Sequence, residues 1–191
     1  MRRMCRALFA IALVTSVVAC SSSSSPSSTG STLSIMLKDS PYSDAKALLV
    51  TFSEVSAHVS GTGGFNALPF AGGATSRTCD LKKLTTAQDV LGTGTLAAGH
   101  YTQIRLVVTS AVLYFDNASA GPACAPSIAA PAGSSAQVNV SSGDVKLNRE
   151  FDVTSSGATT ILVDFDGDQS VHAQGMGSYN MTPVISVVSV Q

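Results

Sequence analysis

Apolar and polar residues alternate over short runs throughout this chain. That period of two suits strands and does not fit a helix. In "TLSIMLK", Leu33, Ile35 and Leu37 share one face. In "ALLVTFSEVSAHV", Leu48, Val50 and Phe52 are in phase, and Val55, Ala57 and Val59 form a second set out of phase with the first. A strand cannot change face without an extra residue, so a β-bulge is expected near Ser53-Glu54. "AAGHYTQIRLVVTSAVLYF" behaves the same way. Ile104, Leu106 and Val108 point together, and the phase shifts before Ala111, Leu113 and Phe115. "VKLNREFDV" (Val145, Leu147, Phe151, Val153), "TTILVDFD" (Ile161, Val163, Phe165) and "YNMTPVISVVSV" continue the series.

Turn chemistry separates these runs. "GTGG" at 61–64 is a turn, and "FNALPF" reads as the returning strand. "CDLKKLTTAQDVLGTG" places Leu81 and Leu84 at helical spacing, enough for at most one short helical turn. Residues 116–136, with three prolines and two glycines, read as loop. Seven or eight short strands with turns between them predict an all-β fold: a seven- to eight-stranded antiparallel β-sandwich. No internal repeat of solenoid length is present.

The N-terminus sets an expectation about location. Arg2, Arg3 and Arg6 precede an apolar stretch, Leu8–Val18, too short to span a bilayer core, which needs about 20 residues. The stretch ends Val17-Val18-Ala19-Cys20, which resembles a bacterial lipobox. Residues 1–19 are then a signal peptide and Cys20 is the lipidated mature N-terminus. The alternative is a soluble secreted chain in which Cys20 is incidental. Residues 20–32 read as a tether, since 21–32 hold eight Ser, two Thr, one Pro and one Gly. Such a segment has no apolar surface to bury and spans about 20 Å as a flexible coil. Ser21, rather than Asp, after the cysteine points to the outer membrane in a Gram-negative host. Residues 33–191 are left as a single domain of ordinary size.

Removal of the three leading arginines leaves eight basic against twelve acidic residues, a net charge of −4. A mildly acidic domain lacks the basic patch that nucleic acid would need. Charged residues make up only 12% of the chain, and Val, Thr, Ser, Ala and Gly dominate, as befits a β-rich domain outside the cytoplasm.

Several blocks occur together and in order: "LKDSPYSDAKALLVTFSEVSAH", "LAAGHYTQIRLVV", "VKLNREFDV", "TILVDFDGDQSV" and "YNMTPVISVV". In combination they resemble the bacterial lipoprotein family called domain of unknown function 4382, over about residues 33–190. The resemblance implies an exported, lipid-anchored β-sandwich of the immunoglobulin-like or transthyretin-like kind, and it implies no activity.

Candidate chemistry is sparse. Asp164, Asp166 and Asp168 in "VDFDGDQS" would share one face if the strand continued, and a Ca2+ ion would relieve their repulsion. The spacing is not an EF-hand loop. The plain alternative is a solvent-facing strand edge ending in an Asp-Gly turn. "KDSPYSDA" holds Asp39 and Asp44, either as turn residues or as part of a ligand or ion site. His58, His100 and His172 fall in no ligand pattern, and a structural role is expected for each. No nucleophile elbow is present, and "GMGSYN" at 175–180 is not followed by a helix, so it is no nucleotide site. Asn117-Ala118-Ser119 and Asn180-Met181-Thr182 are sequons that carry little weight in a bacterial chain.

With Cys5 in the leader and Cys20 lipidated, Cys79 and Cys124 remain. In an oxidising compartment they are expected to pair as a structural disulfide. The alternative is two separate buried thiols acting as small hydrophobes. The expected function is that of a non-enzymatic envelope module that binds a glycan, a peptide or a partner protein. The alternatives are a structural part of an envelope assembly using an exposed strand edge, and a hydrolase built on Asp39, Asp164 and Asp166.

Overall fold

Every alternating run described above forms strand in the computed structural model, which describes residues 30–40, 42–61 and 63–191, and the last run, "YNMTPVISVVSV", is divided between two strands of different sheets. In chain order the strands are β1 (Gly30–Ser40), β2 (Ala47–Val59), β3 (Phe65–Ala67), β4 (Arg77–Asp80), β5 (Asp89–Ala97) and β6 (Gly99–Tyr114). There follow β7 (Cys124–Ala125), β8 (Ser135–Val140), β9 (Asp144–Val153), β10 (Ala158–Asp166), one helical turn α1 (Gly167–Ser170), β11 (Val171–Gly175), β12 (Ser178–Met181) and β13 (Ile185–Val190). The expected signal peptide, the expected lipidation site Cys20 and the expected tether to residue 29 lie outside the described residues. The tether expected through Thr32 ends earlier, because Gly30, Ser31 and Thr32 already pair with Ala97, Leu96 and Thr95 of β5.

The strands form two sheets. One has the order β13-β10-β1-β5, and the other the order β11-β12-β8-β6-β2-β4-β7, with β3 added to β2 and β9 added to β6. The fold is an all-β sandwich whose sheets do not close into a barrel. Its strands are more numerous than expected, and its pairing is not purely antiparallel: β1 runs parallel to β10, and β12 parallel to β8. Helix is minimal, but it is more than one turn. The expected turn is present as a 3-10 segment, Leu81–Thr85, with Leu81 and Leu84 fully buried. A second 3-10 turn spans Ala71–Gly73, and α1 is a third helical turn.

The core lies between the sheets. Leu33, Ile35 and Leu37 of β1 and Ile161, Val163 and Phe165 of β10 meet Leu48, Val50 and Phe52 of β2 and Ile104 and Leu106 of β6, all fully buried. Phe52 and Phe165 pack edge to face across the layers, 6.4 Å between centroids. Such a ring contributes its buried area plus about 1 kcal/mol for the aromatic geometry.

Both phase shifts have one cause. Phe52 pairs with Val108, Glu54 with Val107 and Thr51 with Ser110, so Ser53 is the extra residue in β2 and Thr109 the extra residue in β6. The two bulges flank the Phe52–Val108 pair and reset both strands together. Leu48 and Val50 therefore face inward beside Leu113 and Ala111, and Val55 and Ala57 beside Leu106 and Ile104.

Candidate functional site

The parallel pairing of β1 and β10 brings the acidic residues together and then separates their side chains. Lys38 lies opposite Asp164, Asp39 opposite Phe165 and Ser40 opposite Asp166. Asp39 thus shares the inward face with the buried Phe165 and is itself only 4% exposed, while Asp164 and Asp166 take the outer face. Asp164 is paired with Lys38 Nζ at 2.7 Å. Asp166 caps α1, accepting from the Gln169 amide at 2.9 Å. Asp168 has left the strand altogether: it sits in α1, where its Oδ1 accepts from the Ser43 amide at 3.1 Å.

The Ca2+ reading of Asp164, Asp166 and Asp168 is corrected on this point. The strand does not continue past Asp166, because that carboxylate caps a helical turn, so the three do not share a face. Among the described residues no group of three His, Cys, Asp or Glu side chains is placed to hold a metal ion. Asp44 accepts from the neighbouring Ser43 hydroxyl, a local turn contact. Asp39 and Asp166 are neighbours in the fold, as one alternative required, but their carboxylates point to opposite faces of the sheet.

Asp39 is chemically unusual. Among the described residues neither of its oxygens has a hydrogen-bond partner. Burial pushes its pKa up to about 8, with a further push from the charges of Asp164 and Asp166. The Gly167 amide, close by but short of hydrogen-bond geometry, and the Lys82 ammonium pull the other way. Asp39 is therefore largely a neutral acid at pH 7. A concavity of about 420 Å³ opens on the outer side of the same end, between Lys38 and residues 84–88.

Cys79 and Cys124 are bonded to each other, with Cα atoms 4.1 Å apart. They are directly paired residues of β4 and β7, and both are buried. Beside them the fully buried Asp80 carboxylate accepts from the Leu48 and Lys82 amides and from the Ser119 hydroxyl, which ties β2, the 3-10 turn and the 116–134 loop together. The histidines are dispersed. His58 packs against Phe65, His100 pairs with Asp152 at 2.9 Å, and His172 is exposed on β11.

The outer face of the nine-stranded sheet carries an arrangement that the sequence did not flag. Thr78 of β4 lies beside Thr51 of β2, their hydroxyls 3.0 Å apart, and Thr51 pairs with Ser110 of β6. Farther out, Asn139 of β8 pairs with Asn180 of β12, which pairs with His172 of β11. Asn139 Nδ2 donates to Asn180 Oδ1 at 2.9 Å, and Asn180 Nδ2 donates to Ser141 Oγ at 2.9 Å. Asn139, Gln174, Ser178, Tyr179 and Asn180 line a pocket of about 360 Å³ with no charged residue in its wall. Asn180 was visible only as a sequon, and Asn139 gave no signal. The register that unites them comes from a parallel pairing of strands about forty residues apart.

No curated protein and no solved structure matches the chain. Residues 30–183 match the family described as "Domain of unknown function (DUF4382)", a span that begins with β1 and ends just short of β13. The chain belongs to this family.

Proposed function

We propose that this protein is a lipid-anchored module of the bacterial cell envelope that binds a partner without chemical turnover. The observation that carries the reading is the buried Cys79–Cys124 disulfide, because such bonds form and persist outside the reducing cytoplasm. It agrees with the leader of residues 1–19, whose basic start, short apolar stretch and Ala19-Cys20 end suit lipoprotein processing. Acyl chains on Cys20 would hold the domain at the membrane, each buried CH2 contributing about 0.8 kcal/mol. A rigid sandwich on a serine-rich tether can then present its loops and faces to a ligand.

The test is direct. Labelled palmitate should enter the wild-type chain, and the chain should sediment with membranes. Cys20→Ala should lose the label and either leave the membrane fraction or accumulate unprocessed. Label-free, membrane-bound wild-type protein overturns the proposal.

A second reading, a structural part of an envelope assembly, is favoured by β13. This strand ends the four-stranded sheet, carries no charge from Ile185 to Val190, and leaves Val188 half exposed. Such an edge can accept a strand from another chain. The hydrolase alternative draws no support from the acidic end, where Asp39 and the outer carboxylates lie on opposite faces of one sheet.

A further inference from the structure

We propose that the uncharged pocket on the outer face of β8 and β12 binds a neutral glycan, whose hydroxyls are read by Asn139, Asn180 and Gln174. The inference rests on the binding-module reading and names the ligand class and the site.

The chemistry of the wall selects the ligand. Its polar side-chain groups are three carboxamides and the Ser178 hydroxyl, while Tyr179, paired with the buried Val138, turns its ring to the core against Phe115. Each carboxamide or hydroxyl can both donate and accept, which is the property of a sugar hydroxyl. An anionic ligand would meet no cation in this wall, and a cationic one no acid. An apolar ligand would strip water from the amides and return no hydrogen bonds, at a cost of about 1–3 kcal/mol for each buried group. A neutral, hydroxyl-bearing ligand leaves neither kind of debt.

The site is also organised before any ligand arrives. Asn180 is held from both sides, by Asn139 Nδ2 on its oxygen and by Ser141 Oγ on its nitrogen. The hydroxyl of Ser141 donates in turn to the Met181 carbonyl at 3.2 Å, which ties the network to the backbone of β12. The Asn139 carbonyl oxygen is left free by these bonds. Among the described residues the side chains of Gln174 and Ser178 make no hydrogen bond. The β11–β12 hairpin forms one wall, with Gly175 paired to Ser178. Its tip is a run of left-handed residues, Gly175, Met176 and Gly177, with φ of 85°, 51° and 73°. Met176, fully exposed, takes that conformation although it is not glycine, at a cost of order 1 kcal/mol, because a two-residue hairpin turn between Gly175 and Ser178 needs positive φ at both central residues. In the strand order β12-β8-β6-β2-β4 the sheet continues from β8 to strands whose outer face carries Ser110, Thr51 and Thr78, so hydroxyl-bearing side chains extend in the same direction.

The test is depletion of the full chain from solution by insoluble polysaccharides, in a polyoxyethylene detergent that carries no sugar. Cellulose, chitin, mannan and starch are the neutral probes, and a polyuronate and a sulfated galactan are the charged controls. At least one neutral polysaccharide should retain the wild type, and the charged ones should not. Gln174→Ala and Asn180→Ala should each raise the apparent Kd at least tenfold. Gln174 is exposed and among the described residues makes no hydrogen bond, so its variant should keep the wild-type Tm, which separates loss of the site from loss of the fold. Retention by no neutral polysaccharide overturns the inference. So does retention unaltered in both variants, or retention by the charged polymers alone. Capture of a peptide or protein partner without glycan retention overturns this ligand and leaves the binding-module reading standing. The palmitate experiment reads the anchor independently of either result.

Discussion

The nine-stranded sheet is two unlike sheets that share the β2–β6 ribbon. On one side of the paired bulges the ribbon is widened by β4, β7, β8, β12 and β11. On the other side it carries only β3 and β9. The narrow half wears its charges outside. Arg105 reaches Asp144 at 3.0 Å and Glu54 at 3.5 Å and lies over the Phe65 ring, and His100 meets Asp152 nearby. The wide half has an outer surface of Thr51, Thr78, Ser110, Gln137, Asn139 and Asn180, and its one carboxylate among the described strands, Asp80, is buried and bonded to the Leu48 and Lys82 amides and the Ser119 hydroxyl. The bulges make this division possible. They reset the phase of both strands at once, so one ribbon serves two surfaces without breaking the core between them. A face that neutralises its own charges has little left to offer a ligand. A face of unfilled hydrogen bonds and no charge has specific groups still to satisfy.

The contrast can be broken most severely at the disulfide, which only the wide half has. Replacing both cysteines, Cys79→Ala with Cys124→Ala, frees a loop closed over a sequence separation of 45. The chain-entropy argument puts the loss at up to about 4 kcal/mol, read from denaturant midpoints. Limited proteolysis should then cut first within residues 116–134, the loop that the bridge and Asp80 hold down.

A smaller effect, opposite in sign at high pH, is expected from Asp39, the acid buried on β1 of the facing sheet. Asp39 has a pKa of about 8 when folded, against 3.8 as the ordinary value. The folded state therefore holds the proton between those values, and stability falls as pH rises from about 4 to 8. Asp39→Asn should flatten that slope. Its stability should match the wild type near pH 4 and exceed it at pH 9 by something on the order of a few kcal/mol. Parallel slopes for the two proteins would show that Asp39 is not the group responsible.

The smallest effect should come from the narrow half. Arg105→Met removes two exposed ion pairs and should move Tm by about 2 °C or less, with the difference vanishing in high salt. A larger, salt-independent drop would mean that packing over Phe65, and not charge, holds that surface.

The sandwich was legible wherever one face of a strand is buried and the other is wet. β1, β2, β6, β9 and β10 declare themselves by alternation, and even the paired bulges show as slips of phase. β5 did not, because its first half reads with the helical stretch "CDLKKLTTAQDVLGTG", and Gly92 and Gly94 have no side chain to mark a face. They are strand residues at which a Cβ would come 3.2 Å from the Leu68 carbonyl and 3.0 Å from Pro69 Cδ, a closeness imposed by a segment more than twenty residues away. β8 was lost at the end of a proline-rich loop, its residues too polar to show a core face. At the acidic end, the three aspartates were visible but the helical turn that disperses them was not, since a cap depends on where the strand stops. The pocket was the least legible part. Its residues come from β8, β11 and β12, and no local pattern records that β12 runs alongside β8.

The first strand has a mechanical consequence. β1 is laddered along nearly its whole length on both sides, parallel to β10 and antiparallel to β5. A pull on the chain ahead of Gly30, along the axis of β1, loads both ladders in shear. Their hydrogen bonds must then yield together, not one by one as in an unzipping hairpin. Resistance to such a pull is set by the rate of unfolding and not by equilibrium stability. A domain whose leading strand lies inside its sheet resists a pull from that end more than one that begins at a sheet edge.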